Sequence, residues 1–436
     1  MTTTTADLSA SGENATLKRG ILGIRWVFPE VATCFSRVPD ECARIGRSTQ
    51  CQWSIDGRGV SREHAEIWRD QGVYWIRDLR SRNGVSINGV RRDRAPLSLG
   101  DVVRLGDLLG VFTELAETSE DCSAFEQHPS GLLTGPVLRA RLSTIFSVVA
   151  SELPVLLMGE TGTGKEMVAR AVHDLSGRAG PLRAINCAAL PEALAEGELF
   201  GYRKGAYTGA VGDHLGHIRE ADRGTLLLDE VAELPLAVQA KLLRMLETRE
   251  VQPLGQSRPV KVDVRVVAAT MSDLRAAVAE RRFRVDLFAR FNGVSVVLPP
   301  LRERREEIVH LFHAFLKRYS PRPPSISGGA AEALCLYDWP QNVRELAFVA
   351  QRTTALYADV GLLRRHHVQA AIGAALSPPS QIVPSGRKTV DATTLVEAIR
   401  VHGGNLAQAA SALQLSRGRA YRLLREAGLE SSRRRC

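Results

Sequence analysis

No apolar run in the 436 residues approaches the roughly 18 needed to span a bilayer, so a membrane-spanning helix is excluded and no membrane partner is expected. Residues 1–18 are polar and rich in Thr and Ser, where a secretory leader would place basic and then apolar residues, so the expected location is cytoplasmic. The cysteines, Cys34, Cys42, Cys51, Cys122, Cys187, Cys335 and Cys436, are odd in number, scattered, and never spaced as CxxC. That pattern indicates neither a disulfide framework nor a zinc site. Internal repeats are lacking too, and low complexity is confined to the Thr run near the start and Arg433–Arg435.

What is present is the composition of a folded chain, 44% hydrophobic and 24% charged. The length suits about three domains. A formal net charge of +9 is compatible with an anionic polymer as partner. From position 20 to 115, short alternating or apolar runs such as Val73–Ile76 and Val102–Leu105 are punctuated by Asn83-Gly84 and Asn88-Gly89, which predicts an all-β domain. A polar stretch at 116–135 reads as a linker. Strand and helix patterns then alternate over 136–300 as in a parallel α/β sheet, and 301–375 reads as helical only. Positions 376–388, rich in Pro and Ser, read as a second linker, and 389–431 as a small all-α module.

The most informative string is Gly159-Glu160-Thr161-Gly162-Thr163-Gly164-Lys165-Glu166. Its glycines let backbone N–H groups curl round phosphates, and Lys165 reaches the β and γ oxygens of a nucleoside triphosphate, here ATP. Apolar Pro154–Met158 enters the loop as a strand, and the helix after it presents its N-terminal dipole to the anion. Glu166 stands where generic loops carry a hydroxyl for Mg2+. The metal is therefore expected on Asp229, at the end of the strand Thr225–Leu228, with Glu230 beside it to polarise water.

Four strings together, GETGTGKE, GAYTGA at Gly205-Ala206-Tyr207-Thr208-Gly209-Ala210, GTLLLDE at Gly224–Glu230 and WPQNVREL at Trp339–Leu346, resemble the AAA+ module of bacterial sigma-54-dependent (NtrC-like) activators. The resemblance implies an α/β P-loop ATPase with a helical lid, in which the GAYTGA loop contacts sigma-54 and hydrolysis remodels the promoter complex. It also implies a self-assembled ring, a hexamer, with Arg284 and Arg290 as arginine fingers, Arg344 as the second sensor and Asn186 coupling Glu230 to the loop. Several positions depart from the family: Tyr207 for Phe, Met271 for the first-sensor Asn, Arg223 and Gln341 for glycines, and Arg219 for Glu. A thioether at Met271 cannot orient water as an amide does.

In the front domain, Ile45–Ser48, Ser61–Ala65 and Asn83-Gly84 are spaced as in forkhead-associated (FHA) domains, β-sandwiches that bind phosphothreonine peptides. The resemblance implies Arg47 and Ser61 at the phosphate, Arg62 assisting, Asn83 on the peptide backbone and His64 bracing the loop. A phosphate needs such an arginine and short donors. Arg82 departs from the usual Thr. A sandwich that merely docks on the ATPase is the plainer alternative.

At the end, Gly403–Leu413 followed by Ser416 as an N-cap gives a helix-turn-helix pattern similar to Fis-type DNA-binding domains. Its second helix offers Arg417, Arg419, Tyr421 and Arg422 to the major groove. The expectation is a DNA-bound, ATP-driven activator of sigma-54 RNA polymerase, acting from upstream enhancer DNA and regulated by a phosphothreonine protein or Ser/Thr kinase. The rival is a DNA-binding regulator that binds ATP and oligomerises but hydrolyses it poorly, or remodels another partner.

Overall fold

A computed structural model describes residues 21–29, 34–39, 41–115, 125–207 and 209–376. Thr208 and the expected helix-turn-helix, with Arg417, Arg419, Tyr421 and Arg422, lie outside the described residues.

The front of the chain folds as eleven strands: β1 (Ile21–Phe28), β2 (Phe35–Arg37), β3 (Cys42–Gly46), β4 (Trp53–Ser54), β5 (Ala65–Asp70), β6 (Val73–Asp78), β7 (Val85–Ile87), β8 (Val90–Arg92), β9 (Arg94–Leu97), β10 (Val102–Leu105) and β11 (Leu108–Leu115). They form two sheets, ordered β2-β1-β11-β10-β7-β8 and β4-β3-β5-β6-β9. Asn88 and Gly89 both have positive φ, 49° and 79°, which gives the tight turn that joins β7 to β8. Ile24, Trp26, Ile45, Ile67, Ile76, Leu105 and Phe112 fill the space between the sheets, with Trp26 edge-on to Trp53.

Residues 125–135, inside the stretch expected as linker, hold a short hairpin of β12 (Glu126–Gln127) and β13 (Leu133–Thr134). The α/β part follows as α1 (Pro136–Ser147), β14 (Val155–Met158), α2 (Lys165–Ser176), β15 (Leu182–Asn186), α3 (Glu192–Phe200), α4 (His217–Glu220), β16 (Thr225–Asp229), α5 (Leu236–Thr248), β17 (Glu250–Val251), β18 (Val260–Lys261), β19 (Arg265–Thr270), α6 (Leu274–Ala279), α7 (Val285–Phe291) and β20 (Val294–Val297). Its parallel sheet runs β15-β16-β19-β14-β20. Because side chains alternate along a strand, Leu156 of β14 packs with Leu228, Val231 and Leu242 on one face. Val155 and Leu157 pack with Leu138, Val168 and Val172 on the other.

The lid comprises α8 (Arg305–Tyr319), β21 (Ser325–Ile326), α9 (Gly328–Leu336), α10 (Asn342–Leu356), β22 (Leu362–Leu363) and α11 (Arg365–Leu376). The small parallel β21–β22 pair is an addition to the helix-only reading.

The sandwich is seated on the lid. Val27, Val102, Leu109 and Val111 belong to one buried cluster with Ile308, Phe312, Leu334 and Cys335 rather than to the core between the sheets. Polar ties frame this apolar seat. Arg104 pairs with the fully buried Glu332 at 3.0 Å, which also accepts from Ser86 Oγ at 3.2 Å. Thr113 Oγ1 donates to Glu306 at 3.2 Å, and Arg305 donates to the Gly100 carbonyl at 3.1 Å. At Gly328 the backbones come so close that a Cβ would lie 2.8 Å from Asp107 Cα, so only glycine fits.

Candidate nucleotide-binding site and its neighbours

The glycine loop joins the C-terminal end of β14 to α2. Gly162 has φ 76°, and a Cβ there would stand 2.2 Å from the Gln341 carbonyl, so the glycine is needed both for conformation and for the close approach of the lid. Val343 N–H donates to the Gly162 carbonyl at 2.9 Å, closing lid against loop. Gln341 itself has φ −106°, an ordinary value, so its departure from glycine carries no backbone cost. Arg223 differs: its φ is 57°, where glycine is favoured.

Lys165 is 7% exposed. It donates to the carbonyls of Gly159 at 2.8 Å and Glu160 at 3.3 Å. Burial lowers its pKa, opposed by Glu230 and Asp229, while Arg344 adds to the lowering. Its ammonium lies 3.8 Å from Glu230. Arg344 reaches the same place from α10, with its Cβ beside Gly162. Lysine, arginine and the acidic pair thus converge on the loop, and the donor set suits a polyphosphate with a divalent cation at Asp229.

Glu230 takes a left-handed φ of 52°. Its carboxylate accepts from the Met271 N–H at 3.1 Å, while Thr161 Oγ1 donates to the Met271 sulfur at 3.3 Å. Asn186 stands in register with Asp229 on the adjacent strand. Its side chain accepts from Ala188 N–H, so the side-chain contact recorded for it within this chain is a local cap. Arg284 forms a pair with Asp286, 2.8 Å apart and both exposed. Arg290 donates to the Leu246 carbonyl at 3.3 Å. Glu166 forms an exposed pair with Arg170, 3.6 Å apart.

Three residues of the site escaped the reading of the sequence. Arg302 binds Glu160 through both nitrogens, at 2.9 and 2.5 Å. Asn342 donates to Glu160 at 3.1 Å and to the Thr161 carbonyl at 3.0 Å. With Arg302 bound to it, the Glu160 carboxyl is held down at about 2. Arg304, only 1% exposed, donates to the Thr163 carbonyl at 3.0 Å. The signal was a cluster of arginines immediately after the last strand of the sheet.

Among the described residues of the GAYTGA segment, Gly205 N–H donates to the Ala210 carbonyl, and Ala206 stands against Gly255 of the neighbouring loop. Tyr207, 38% exposed, lies edge-on to Tyr202 at 5.1 Å. The neighbouring Tyr202 hydroxyl raises the Tyr207 pKa.

In the sandwich, the predicted phosphopeptide residues gather on the loops after β3, β4 and β6. Arg47 N–H donates to the Ser61 carbonyl and Ser48 N–H to the Arg62 carbonyl. Ser61 Oγ accepts from Arg82 N–H at 3.1 Å, and Asn83 donates to the Gly59 carbonyl at 2.7 Å. Arg47, Arg62, Arg82 and Asn83 are exposed. His64 is fully buried. It accepts from Ser61 N–H and faces the Gly84 carbonyl through Nε2, bracing both loops as expected. Burial lowers its pKa.

Residues 133–297 match the family model of the Sigma-54 interaction domain, 43–106 that of the FHA domain and 302–381 that of the AAA+ ATPase lid domain. The chain is 42% identical over 321 residues to the nitric oxide reductase transcription regulator NorR2 of Cupriavidus necator, covering 66% of this chain and 61% of that protein. It is 41% identical over 326 residues to the anaerobic nitric oxide reductase transcription regulator NorR of an Enterobacter species, covering 70% and 65%. It thus spans less than two thirds of the length of these curated relatives. Among solved structures, NtrX from Brucella abortus in complex with ATP is similar at 32% identity and a TM-score of 0.54, covering 68% of each chain.

Proposed function

The chain belongs to the family of sigma-54-dependent transcription activators, and from that premise we propose that it is an ATP-driven remodeller of sigma-54 RNA polymerase with an FHA domain as its regulatory input. The observation that carries the reading is geometric: Glu230, next to Asp229 at the end of β16, lies 3.8 Å from the buried Lys165 ammonium, and Arg344 of the lid stands against Gly162 of the same glycine loop. Bound there with Mg2+ on Asp229, ATP supplies the phosphoryl group transferred to water. Lys165 and the loop amides hold the phosphates, and Glu230, steadied by Met271 N–H, orients the water. Arg344 brings the lid to the same phosphates. Arg284 and Arg290 act on a neighbour's site in a ring of this chain, whereas Asn186, in register with Asp229 of its own chain, couples Glu230 to the Gly205–Ala210 loop.

The loop Gly205–Ala210 is the sigma-54 contact. Arg47, Ser61, Arg62 and Asn83 receive a phosphothreonine segment, whose near-double charge suits the exposed arginines. The helix-turn-helix expected at 389–431 anchors the protein to upstream DNA through Arg417, Arg419, Tyr421 and Arg422. Open-complex formation by sigma-54 holoenzyme, with ATP and a phosphothreonine peptide present, tests the whole. The intact chain is expected to support it and Thr208→Ala to lose it; no activity from the intact chain would overturn the reading. A second reading, an ATP-binding DNA regulator with slow turnover, is favoured by Met271 at the first-sensor position, and steady-state ATPase measurement separates the two.

A further inference from the structure

The start of α8 ties the FHA domain and the nucleotide loop to a single turn of helix. Arg304 donates into the loop at the Thr163 carbonyl and pairs with Glu307 at 3.4 Å. Fully buried Glu307 accepts from Leu138 N–H at the start of α1, at 3.0 Å. One residue earlier, Glu306 faces the other way, accepting from Thr113 of the FHA domain; burial raises its pKa, and Arg25 of β1 opposes the rise. Arg305 holds the Gly100 carbonyl of the same domain. Further along the seat, Arg104 and Ser86 hold Glu332 of α9.

Consecutive helical residues are only 1.5 Å apart along the axis. The Glu306 end therefore cannot shift without moving the Arg304 end. Nor can Arg304 and Glu307 separate cheaply, because each would leave a charge buried without its partner.

We propose that Arg304 is a positioning residue for the nucleotide loop and that the seating of the FHA domain on α8 and α9 sets its position, so that FHA docking and nucleotide binding are linked. Docking holds the first turn of α8, the turn holds Arg304, and Arg304 holds the Thr163 carbonyl in the phosphate-binding curl. Linkage of this kind is reciprocal: whatever docking contributes to nucleotide affinity, the nucleotide returns to docking. The inference rests on the nucleotide reading of the loop and is independent of what the FHA domain binds.

The test uses the full chain and ADP. The double variant Thr113→Val with Arg104→Met removes two ties from the FHA side and touches nothing in the nucleotide loop. It is expected to bind fluorescent ADP about five- to tenfold more weakly, within the usual range for coupled sites. In the unaltered chain, which needs no variant to fold, ADP is expected to slow amide exchange in β11 and in the first turn of α8. Reciprocity demands both results. Unchanged ADP affinity in the double variant, or unchanged exchange in β11 on adding ADP, overturns the linkage. Failure of the unaltered chain to bind ADP at all overturns the nucleotide reading instead, so the two failures are distinct.

Discussion

Arg302 grips Glu160 through two hydrogen bonds, at 2.9 and 2.5 Å, and so ties the first residue after the leading glycine of the nucleotide loop to the entrance of the lid. A carboxylate held this way is stabilised in its charged form, and its pKa falls from 4.5 to about 2.

The sign of the resulting pH dependence follows from that depression. The clamp contributes stability that is fully present above pH 4.5 and is lost as pH falls towards 2. Glu160→Gln is expected to lower the melting temperature by a constant amount between pH 5 and 8. The gap to the unaltered chain should shrink below pH 4.5, as thermal unfolding monitored across pH would record. A gap that widened in acid would refute the assignment.

Met271 offers Glu230 a backbone N–H but no side-chain amide. Met271→Asn is expected to raise ATP turnover about tenfold, the return on roughly 1.4 kcal/mol of transition-state stabilisation, with ADP affinity little changed. Steady-state ATPase assay and fluorescent ADP titration together check the split.

Arg223 is fixed in the left-handed region because its N–H donates to the Asp263 carbonyl and its carbonyl accepts from Gly180 N–H. It cannot relax without breaking both. Arg223→Gly should stabilise the α/β part by about 1 kcal/mol, the cost of a non-glycine residue in that conformation. Denaturant unfolding measures it, and a loss of stability would show that the arginine side chain outweighs the strain.

For the FHA domain, Arg47→Ala is expected to weaken binding of a phosphothreonine peptide at least tenfold, the scale of one charge-assisted hydrogen bond of about 1.5–3 kcal/mol. Isothermal titration with phosphorylated and unphosphorylated peptides is the measurement. Equal affinity in the variant would leave the loops without their proposed ligand.

Thiol reactivity offers a check on packing. Burial pushes the thiols of Cys187 and Cys335 up to about 12, whereas Cys42 is exposed. At pH 8, iodoacetamide should label Cys42 well before Cys187 or Cys335, since the thiolate is the nucleophile. Cys335 lies in the cluster shared with the FHA domain, so its labelling also reports when that seat opens.

The elements of the nucleotide site were legible because phosphate binding constrains sequence locally. A glycine loop, a lysine and an acidic strand end are contiguous strings, and the structure brings them together at Lys165. What stayed hidden was relational. Val27, Val102, Leu109 and Val111 stand beside the core residues Trp26, Val103, Leu108 and Phe112 in continuous apolar runs, which tell that both faces are covered but not by what. Glu306, Glu307 and Glu332 look like the solvated face of helices, yet each is buried against a partner from another part of the chain. Gln341, one of the departures from glycine, has an ordinary φ, the positive values falling on Trp339 and Asn342 instead. The pairing of Arg302 with Glu160 spans 142 positions, a separation that no local pattern announces.

The shared apolar seat bears on how such a chain is assembled from parts. A cut near residue 116 would look natural from the β-to-polar change in composition, but it would strip cover from Ile308, Phe312, Leu334 and Cys335 on the ATPase side and from Val102 and Val111 on the other. Both fragments would carry a greasy scar and tend to clump. Exchange of the FHA domain for a sandwich with a different outer face would require α8 and α9 to be recast along with it, so the two parts are one packed unit rather than interchangeable cassettes.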